Sequence, residues 1–348
     1  WLLHKGNSYA RAENTRVVVM NKSLQIYVSS TLPSMGVNGV ETITFNSWAL
    51  SIIRNATKGK AFFKFRDLPE FVEKIKFSDG ILKALSRFID QKVRDIDSAI
   101  SKEFSLKERL LQIWKENHKK ALQPRLKDFR HDISELDLPA KEKQIALDYV
   151  QNLLTDQEDY IGDLYALLSN EKLLSSFLPA EPKIKEHLSY LSRMVEKNRR
   201  KNYLDYYDMS LILRIIQLKH GGLPDKNGGV CELDHLVIDE AQDFGPVEFA
   251  IMMDAVKDKR NLTIVGDVSQ KILFSRKFIG WNNILDNLEI KKDALIQLEV
   301  SFRCTVPIMN LARKIEGRED PISFGRPGNP VVWHRAVDQD DFLETLAS

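Results

Sequence analysis

Cysteine is almost missing from this sequence: Cys231 and Cys304 are the two copies in 348 residues, and they stand far apart. Without C-x-x-C spacing or a set of pairs, a zinc finger and a disulfide-stapled secreted scaffold are excluded, and a reducing cytoplasm is the expected location. An excess of one charge is missing too, since 51 Lys and Arg balance 49 Asp and Glu to a net +2. No global basic field recruits a polyanion, so any such surface has to be local. No apolar run approaches the length of a bilayer-crossing helix and no secretory leader is legible, so no membrane partner is expected. The histidines, among them His4, His118 and His235, show no metal-ligand pairing, and there is no internal repeat or low-complexity tract.

What is present gathers at the ends of apolar runs. Leu236-Val237-Ile238 leads directly into Asp239-Glu240-Ala241-Gln242-Asp243. Open parallel sheets meet their ligands at the carboxyl ends of the strands, so two adjacent carboxylates there suit a magnesium-dependent nucleotide hydrolase. Asp239 would face Mg²⁺, and Glu240 would stand beside the water that attacks a γ-phosphate. Taken alone, the run also fits an acidic cap on a helix that follows a buried strand. The design recurs, however, in Leu262-Thr263-Ile264-Val265-Gly266-Asp267-Val268-Ser269-Gln270. A further apolar segment, Leu295 to Val300, runs into Ser301-Phe302-Arg303-Cys304, whose guanidinium suits bidentate contact with a phosphate. Singly, Gln270 reads as a turn residue and Arg303 as an ion-pair arginine; in this order and spacing the three tips read as one nucleotide site.

The ordered segments VIDEAQD, LTIVGDVSQKI and LEVSFRCTVPIMNLA resemble motifs II, III and IV of the UvrD/Rep branch of superfamily 1 DNA helicases. Thr44-Phe45-Asn46-Ser47 is similar to the Thr-Phe-His-Ser segment of these enzymes, and Asp205-Tyr206-Tyr207-Asp208 to their acidic-aromatic segment upstream of motif II. The surrounding wording, with Leu-Pro-Ser-Met-Gly before the Thr-Phe segment and Arg-Pro-Gly-Asn-Pro after motif IV, resembles HelD-like members most closely. The resemblance implies an α/β fold: a RecA-like parallel-sheet P-loop NTPase core, a large all-helical insertion, and the start of a second RecA-like domain.

It also implies ATP and Mg²⁺ as cofactors, with roles carried position by position. Asp239 would hold Mg²⁺ through water, and Glu240, beside the metal, would polarise the attacking water. Gln270 would sense the γ-phosphate, Arg303 would act as an arginine finger, and Gln242 would link hydrolysis to the neighbouring motifs. Asp267 either joins this set or only hydrogen-bonds its loop. Nucleic acid would meet Asn21, Lys22 and Ser23 in an altered motif Ia, then Thr44, Phe45 and Asn46, and further on Phe274 and Arg276. Where many members follow the motif III Gln with Tyr-x-Trp-Arg, this chain has Lys271-Ile272-Leu273-Phe274-Ser275-Arg276, and Ser275 cannot stack on a base. Phe274, Phe278 and Trp281 are the available substitutes, so the ATPase reading is firmer than the unwinding one.

No G-x-x-x-x-G-K-[ST] phosphate loop occurs in the sequence, and without its amides and Lys a triphosphate lacks a cradle. Residues 2–11 read as a helix running into a strand over 16–20, as after that loop in the family. The simplest explanation is a fragment that begins just after the loop and is inactive as it stands, the other being a degenerate motor that never had it; the chain is expected to end beyond a strand over 330–335, early in the second motor domain. Pattern divides the chain into a first α/β part over 1–49 and a helical insertion over 50–204, matching domain 1B of the family by position. The α/β part is completed over 205–297, and 298–348 starts domain 2A. The insertion shows apolar residues at helical spacing, such as Leu82, Leu85, Phe88 and Ile89, or Leu110, Leu111, Ile113 and Trp114. Its basic runs, Lys197-Asn198-Arg199-Arg200-Lys201 and Trp114-Lys115 with His118-Lys119-Lys120, fit either solvated helix faces or grips on a phosphate backbone.

Two functions follow from these readings. One is an ATP-dependent DNA helicase or translocase moving on single-stranded or partly duplex DNA. The other is a helicase-like ATPase that remodels a nucleoprotein complex such as RNA polymerase, or serves a DNA-processing or phage-defence assembly.

Overall fold

Val17, Val18 and Val19 are β-branched and buried on both faces, the pattern of a central parallel strand. They belong to β1 (Thr15–Val19), which leads through α1 (Lys22–Ser34) to β2 (Glu41–Thr44) and α2 (Phe45–Ala56). The structure is a computed structural model that describes residues 10–105, 107–225, 229–267, 280–287, 295–296, 304–315, 317, 325–333, 335, 337 and 339. It divides into two compact units, Trp1–Ile284 and Leu285–Ser348.

Past α2 the first unit becomes helical. A two-residue strand, β3 (Phe63–Lys64), is followed by α3 (Glu70–Lys76), α4 (Asp79–Glu103), α5 (Glu108–Glu116), α6 (Leu122–Glu135), α7 (Ala140–Gln157), α8 (Tyr160–Ser169), α9 (Glu171–Ser175) and α10 (Ile184–Arg200). Helices α4 to α7 enclose their own core, in which Trp114, Leu126, Phe129, Ile133 and Val150 are buried. Arg125 lies over the Trp114 ring at 3.7 Å and donates to Asp97 at 2.9 Å, so its buried cation is paired and stacked at once. The chain then returns through β4 (Leu204–Asp205), α11 (Asp208–His220), β5 (Leu223–Pro224), β6 (Val230–Cys231), β7 (His235–Ile238), α12 (Pro246–Met253) and β8 (Leu262–Ile264).

The main sheet has the order β2-β1-β7-β8 and is parallel throughout. Its register sets Val19 beside Thr44, Val18 beside Ile238 and Ile238 beside Ile264, so all four carboxyl ends lie along one edge. Helix α11 packs on α2, α4, α8 and α12 and is buried almost all round. Three of its polar side chains are bonded: Arg214 donates to Asp254 at 2.7 Å, Gln217 to the Ile251 carbonyl at 2.9 Å, and Lys219 to the Gln157 carbonyl at the end of α7 at 2.8 Å.

Several expectations meet a different structure. Strand propensity alone would carry β2 on through Phe45, but Thr44 ends the strand and Phe45 opens α2. The reason is local: Thr44 Oγ1 accepts the Ser47 N–H at 3.1 Å and starts the helix. The helix expected over 2–11 falls outside the described residues except for 10 and 11, which are not helical. α13 (Trp281–Asn287) begins in the first unit; in the second, α14 (Val306–Ile315) opens with the Val306 N–H donating to the Arg326 carbonyl at 2.9 Å. The strand expected over 330–335 is irregular at its described residues, with Val332 85% and Trp333 78% exposed. A β-branched run becomes a strand only where a neighbour completes its ladder, and none of the described residues does so.

The acidic-aromatic segment Asp205 to Asp208 also has a definite place. Lys76, at the end of α3, reaches Asp205 Oδ2 at 2.7 Å and Asp208 Oδ1 at 2.6 Å, all three side chains being essentially inaccessible. Asp208 Oδ2 accepts the Asp205 N–H at 3.0 Å, and Asp205 Oδ1 accepts that of Tyr207, also at 3.0 Å. Burial works against the Lys76 ammonium, but the two carboxylates outweigh it and raise its pKa. One cation facing two carboxylates leaves an excess negative charge, and burial pushes Asp208 up to about 6 despite Lys76. The folded state therefore holds this proton more tightly than the unfolded chain. The resulting stabilisation is complete below pH ~4 and is lost as pH rises through ~6, a change of about 3 kcal/mol. Asp208→Asn, which keeps an acceptor for the Asp205 amide, should flatten that part of the stability profile, as measured by urea unfolding across pH 4 to 7. An unchanged profile would remove Asp208 as its source.

Candidate active site

The edge where the strands end collects the polar residues singled out by the sequence. Beyond β1, Asn21 caps α1, its side chain accepting the Leu24 N–H at 2.9 Å, and Asn21, Lys22 and Ser23 are all exposed. A helix start offers free N–H groups and the positive end of the helix dipole, which favours an anion such as a phosphate. Beyond β2, α2 begins in the same way, with Thr44 buried and Asn46 exposed. Phe45 is 3% exposed and its ring packs 6.0 Å from that of Phe244, so it is a core residue here, closed to a stacking base.

β7 ends between these helix starts and β8. Asp239 N–H still donates to the Val18 carbonyl at 3.0 Å, continuing the ladder by one residue. Glu240 then departs sharply, with φ 52° and ψ 46° in the left-handed region. For a residue with a side chain this conformation costs about 1–3 kcal/mol and has to be held by its surroundings. Three bonds hold it. Glu240 N–H turns back to Asp239 Oδ1 at 3.0 Å, Asp243 N–H donates to the Glu240 carbonyl at 3.0 Å, and Ala241 N–H donates to the Val265 carbonyl at 2.9 Å. The turn leaves Asp239 and Glu240 half-buried at the strand end, side by side.

Gln242, 1% exposed, sits beneath them. Its amide donates from Nε2 to Glu240 Oε2 at 2.8 Å, while its Oε1 accepts the Asp267 N–H at 2.9 Å. One carboxamide therefore joins the carboxylate after β7 to the loop after β8. That contact is possible because residue 266 is glycine. A Cβ there would lie 2.7 Å from Gln242 Oε1 and 3.1 Å from the Ala241 nitrogen. This duty of Gly266, making room for the amide, has no local signal because the partner is in another segment. Further support comes from Gly245, whose N–H is accepted by the Glu248 carboxylate at 2.8 Å at the start of α12.

Asp239, Glu240, Gln242 and Asp267 are thus brought together, and the loop role of Asp267 is met by its backbone N–H. Gln270, Phe274, Arg276 and Arg303 lie outside the described residues. No group of three or more His, Cys, Asp or Glu positioned to hold a metal occurs among the described residues. A pair of oxygen donors at an open edge fits Mg²⁺, which keeps waters and shares substrate phosphates rather than filling an all-protein cage. It does not fit zinc, which requires more nitrogen or sulfur ligands.

Gly266→Ala should weaken the fold by about 1–3 kcal/mol through overpacking against Gln242 and Ala241, read as a lower urea midpoint with an unchanged slope. Wild-type stability in that variant would mean the loop after β8 is not held by the amide.

Compared with known families, residues 13–277 match the family described as UvrD/REP helicase N-terminal domain. No curated protein matches the chain.

Proposed function

The chain belongs to the UvrD/REP helicase family through that N-terminal domain, and we propose that its protein is a DNA helicase or translocase that couples Mg·ATP hydrolysis to movement on single-stranded DNA. The observation that carries this reading is the amide of Gln242, which holds the Glu240 carboxylate at one end and the Asp267 backbone at the other. A base at the hydrolytic centre is thereby joined to the loop leading to Gln270, the route by which nucleotide state would reach the nucleic acid.

In this proposal Asp239 orients water around Mg²⁺, and the metal supplies charge neutralisation to the phosphates. Glu240 takes the proton of the attacking water; the hydrogen bond from Gln242 and the left-handed backbone fix the carboxylate before substrate arrives. Gln270 and Arg303 face the γ-phosphate in the proposed assignment, Arg303 as the finger that stabilises its charge. The exposed start of α1, with Asn21, Lys22 and Ser23, binds backbone phosphates, joined by Asn46 and, past motif III, by Phe274 and Arg276. The helices between α2 and β4 are assigned to the family's domain 1B, and residues 298–348 to the beginning of domain 2A. Ser275, where many members carry a stacking tryptophan, favours a second reading in which the motor acts on a nucleoprotein such as RNA polymerase.

Glu240→Gln retains an oxygen to accept from Gln242 but removes the base, so kcat for Mg·ATP should drop by at least ~10²-fold in the full-length protein while nucleotide affinity stays. Unaltered turnover would end the assignment. Arg303→Ala should slow hydrolysis by about 10³-fold; a loss confined to melting temperature would return Arg303 to a structural role. Stimulation of the wild type by single-stranded DNA supports the motor, whereas stimulation only by a protein complex supports the remodeller.

A further inference from the structure

Away from the strand ends, a group of large rings stands in water among cations around β3. β3 pairs in parallel with β4, Phe63 opposite Leu204 and Lys64 opposite Asp205. This brings the segment Lys-Ala-Phe-Phe-Lys-Phe-Arg, residues 60–66, beside the basic end of α10 and the tyrosines that follow it. Phe63 and Phe65 flank the Tyr206 ring, with centroids 6.5 and 6.4 Å away. The Lys64 ammonium lies 5.9 Å from the Tyr203 ring. Phe62 is 70%, Phe65 76% and Tyr206 42% exposed, and Lys60, Lys64 and Arg66 are exposed as well.

Stability does not account for these rings, because burial is what makes an aromatic side chain stabilising. The helix dipole accounts for cations at the end of α10 but not for the cations on the neighbouring strand segment. The alternation itself points to the ligand. A protein-docking surface depletes lysine at its centre, whereas a surface for single-stranded nucleic acid mixes rings, which stack on bases of any sequence, with cations that meet the phosphates between them. The ribbon follows the far end of the 12-residue helix α2, ~18 Å along that helix from its start.

We propose that the β3–β4 ribbon is a second contact site for single-stranded nucleic acid, where bases stack on Phe62, Phe65 and Tyr206 and phosphates meet Lys60, Lys64 and Arg66. It rests on the reading of the protein as a motor on single-stranded DNA and deepens it: adhesion missing at Ser275 is supplied on the ribbon.

The test is the Kd of the full-length protein for fluorescein-labelled oligothymidylate, by anisotropy over a range of salt concentrations. Phe65→Ala and Phe62→Ala should each weaken binding by about tenfold, and Phe65→Trp should restore it, because any large ring can stack. Lys64→Gln should reduce the slope of log K against log salt by ~0.7, one phosphate contact to a single strand. All three positions are exposed, so melting temperatures should match the wild type and separate lost adhesion from lost fold. Wild-type Kd values in both alanine variants would overturn the ribbon while leaving the motor intact. A wild-type protein that binds no oligothymidylate would overturn the motor reading, and the ribbon with it.

Discussion

The parallel pairing of β1 with β7 is the constraint on which the rest of the molecule depends. Thr15 lies beside His235 and Val18 beside Ile238, although the whole helical region separates them in the chain. A parallel neighbour can only be reached by a crossover, and here the crossover contains β2, ten helices before α11, and α11 itself. Its two limbs have to leave and return close together. The β3–β4 pair and the buried contact of Lys76 with Asp205 and Asp208 tie them at that root. With the root closed, β7 lies between β1 and β8, and Asp239 N–H meets the carbonyl of Val18.

Much of this was legible because it is periodic or contiguous. The apolar runs before Asp239 and before Gly266 alternate too little for an exposed strand and are too short for a helix, and both are strands of the parallel sheet. The helical spacing around Leu85 and Ile89, and around Leu110 and Trp114, corresponds to buried faces of α4 and α5. The illegible parts are those in which a residue's role is set by a distant partner. Phe45 has strand propensity, yet Thr44 caps a helix there and Phe244 takes up its ring. Strands of two residues, such as β3 and β4, have no period to detect. Nothing in the chain near Asp205 and Asp208 announces their partner Lys76.

At the strand ends the same distinction holds. Adjacent carboxylates after an apolar strand are a linear signal, and the family membership agrees with it. The left-handed turn at Glu240 is not linear, since residues with side chains avoid that region unless bonds from elsewhere enforce it. Val265 and Asp243 supply those bonds, one from a neighbouring strand and one from the next turn. The carboxamide below has a donor end toward Glu240 and an acceptor end toward Asp267, so its orientation is defined by both neighbours. A carboxylate in its place would face Glu240 with like charge and lose the donor.

The buried contact at the root has an evolutionary corollary. Losing Lys76 alone would leave two carboxylates sealed together, and losing both aspartates would strand an ammonium without water, each a heavy penalty in a site this closed. Replacing all three by apolar side chains of matching volume carries no such penalty. Descendants of this sequence can therefore keep the trio or discard it whole, while intermediates are selected against, so these three remote positions should be inherited as a block.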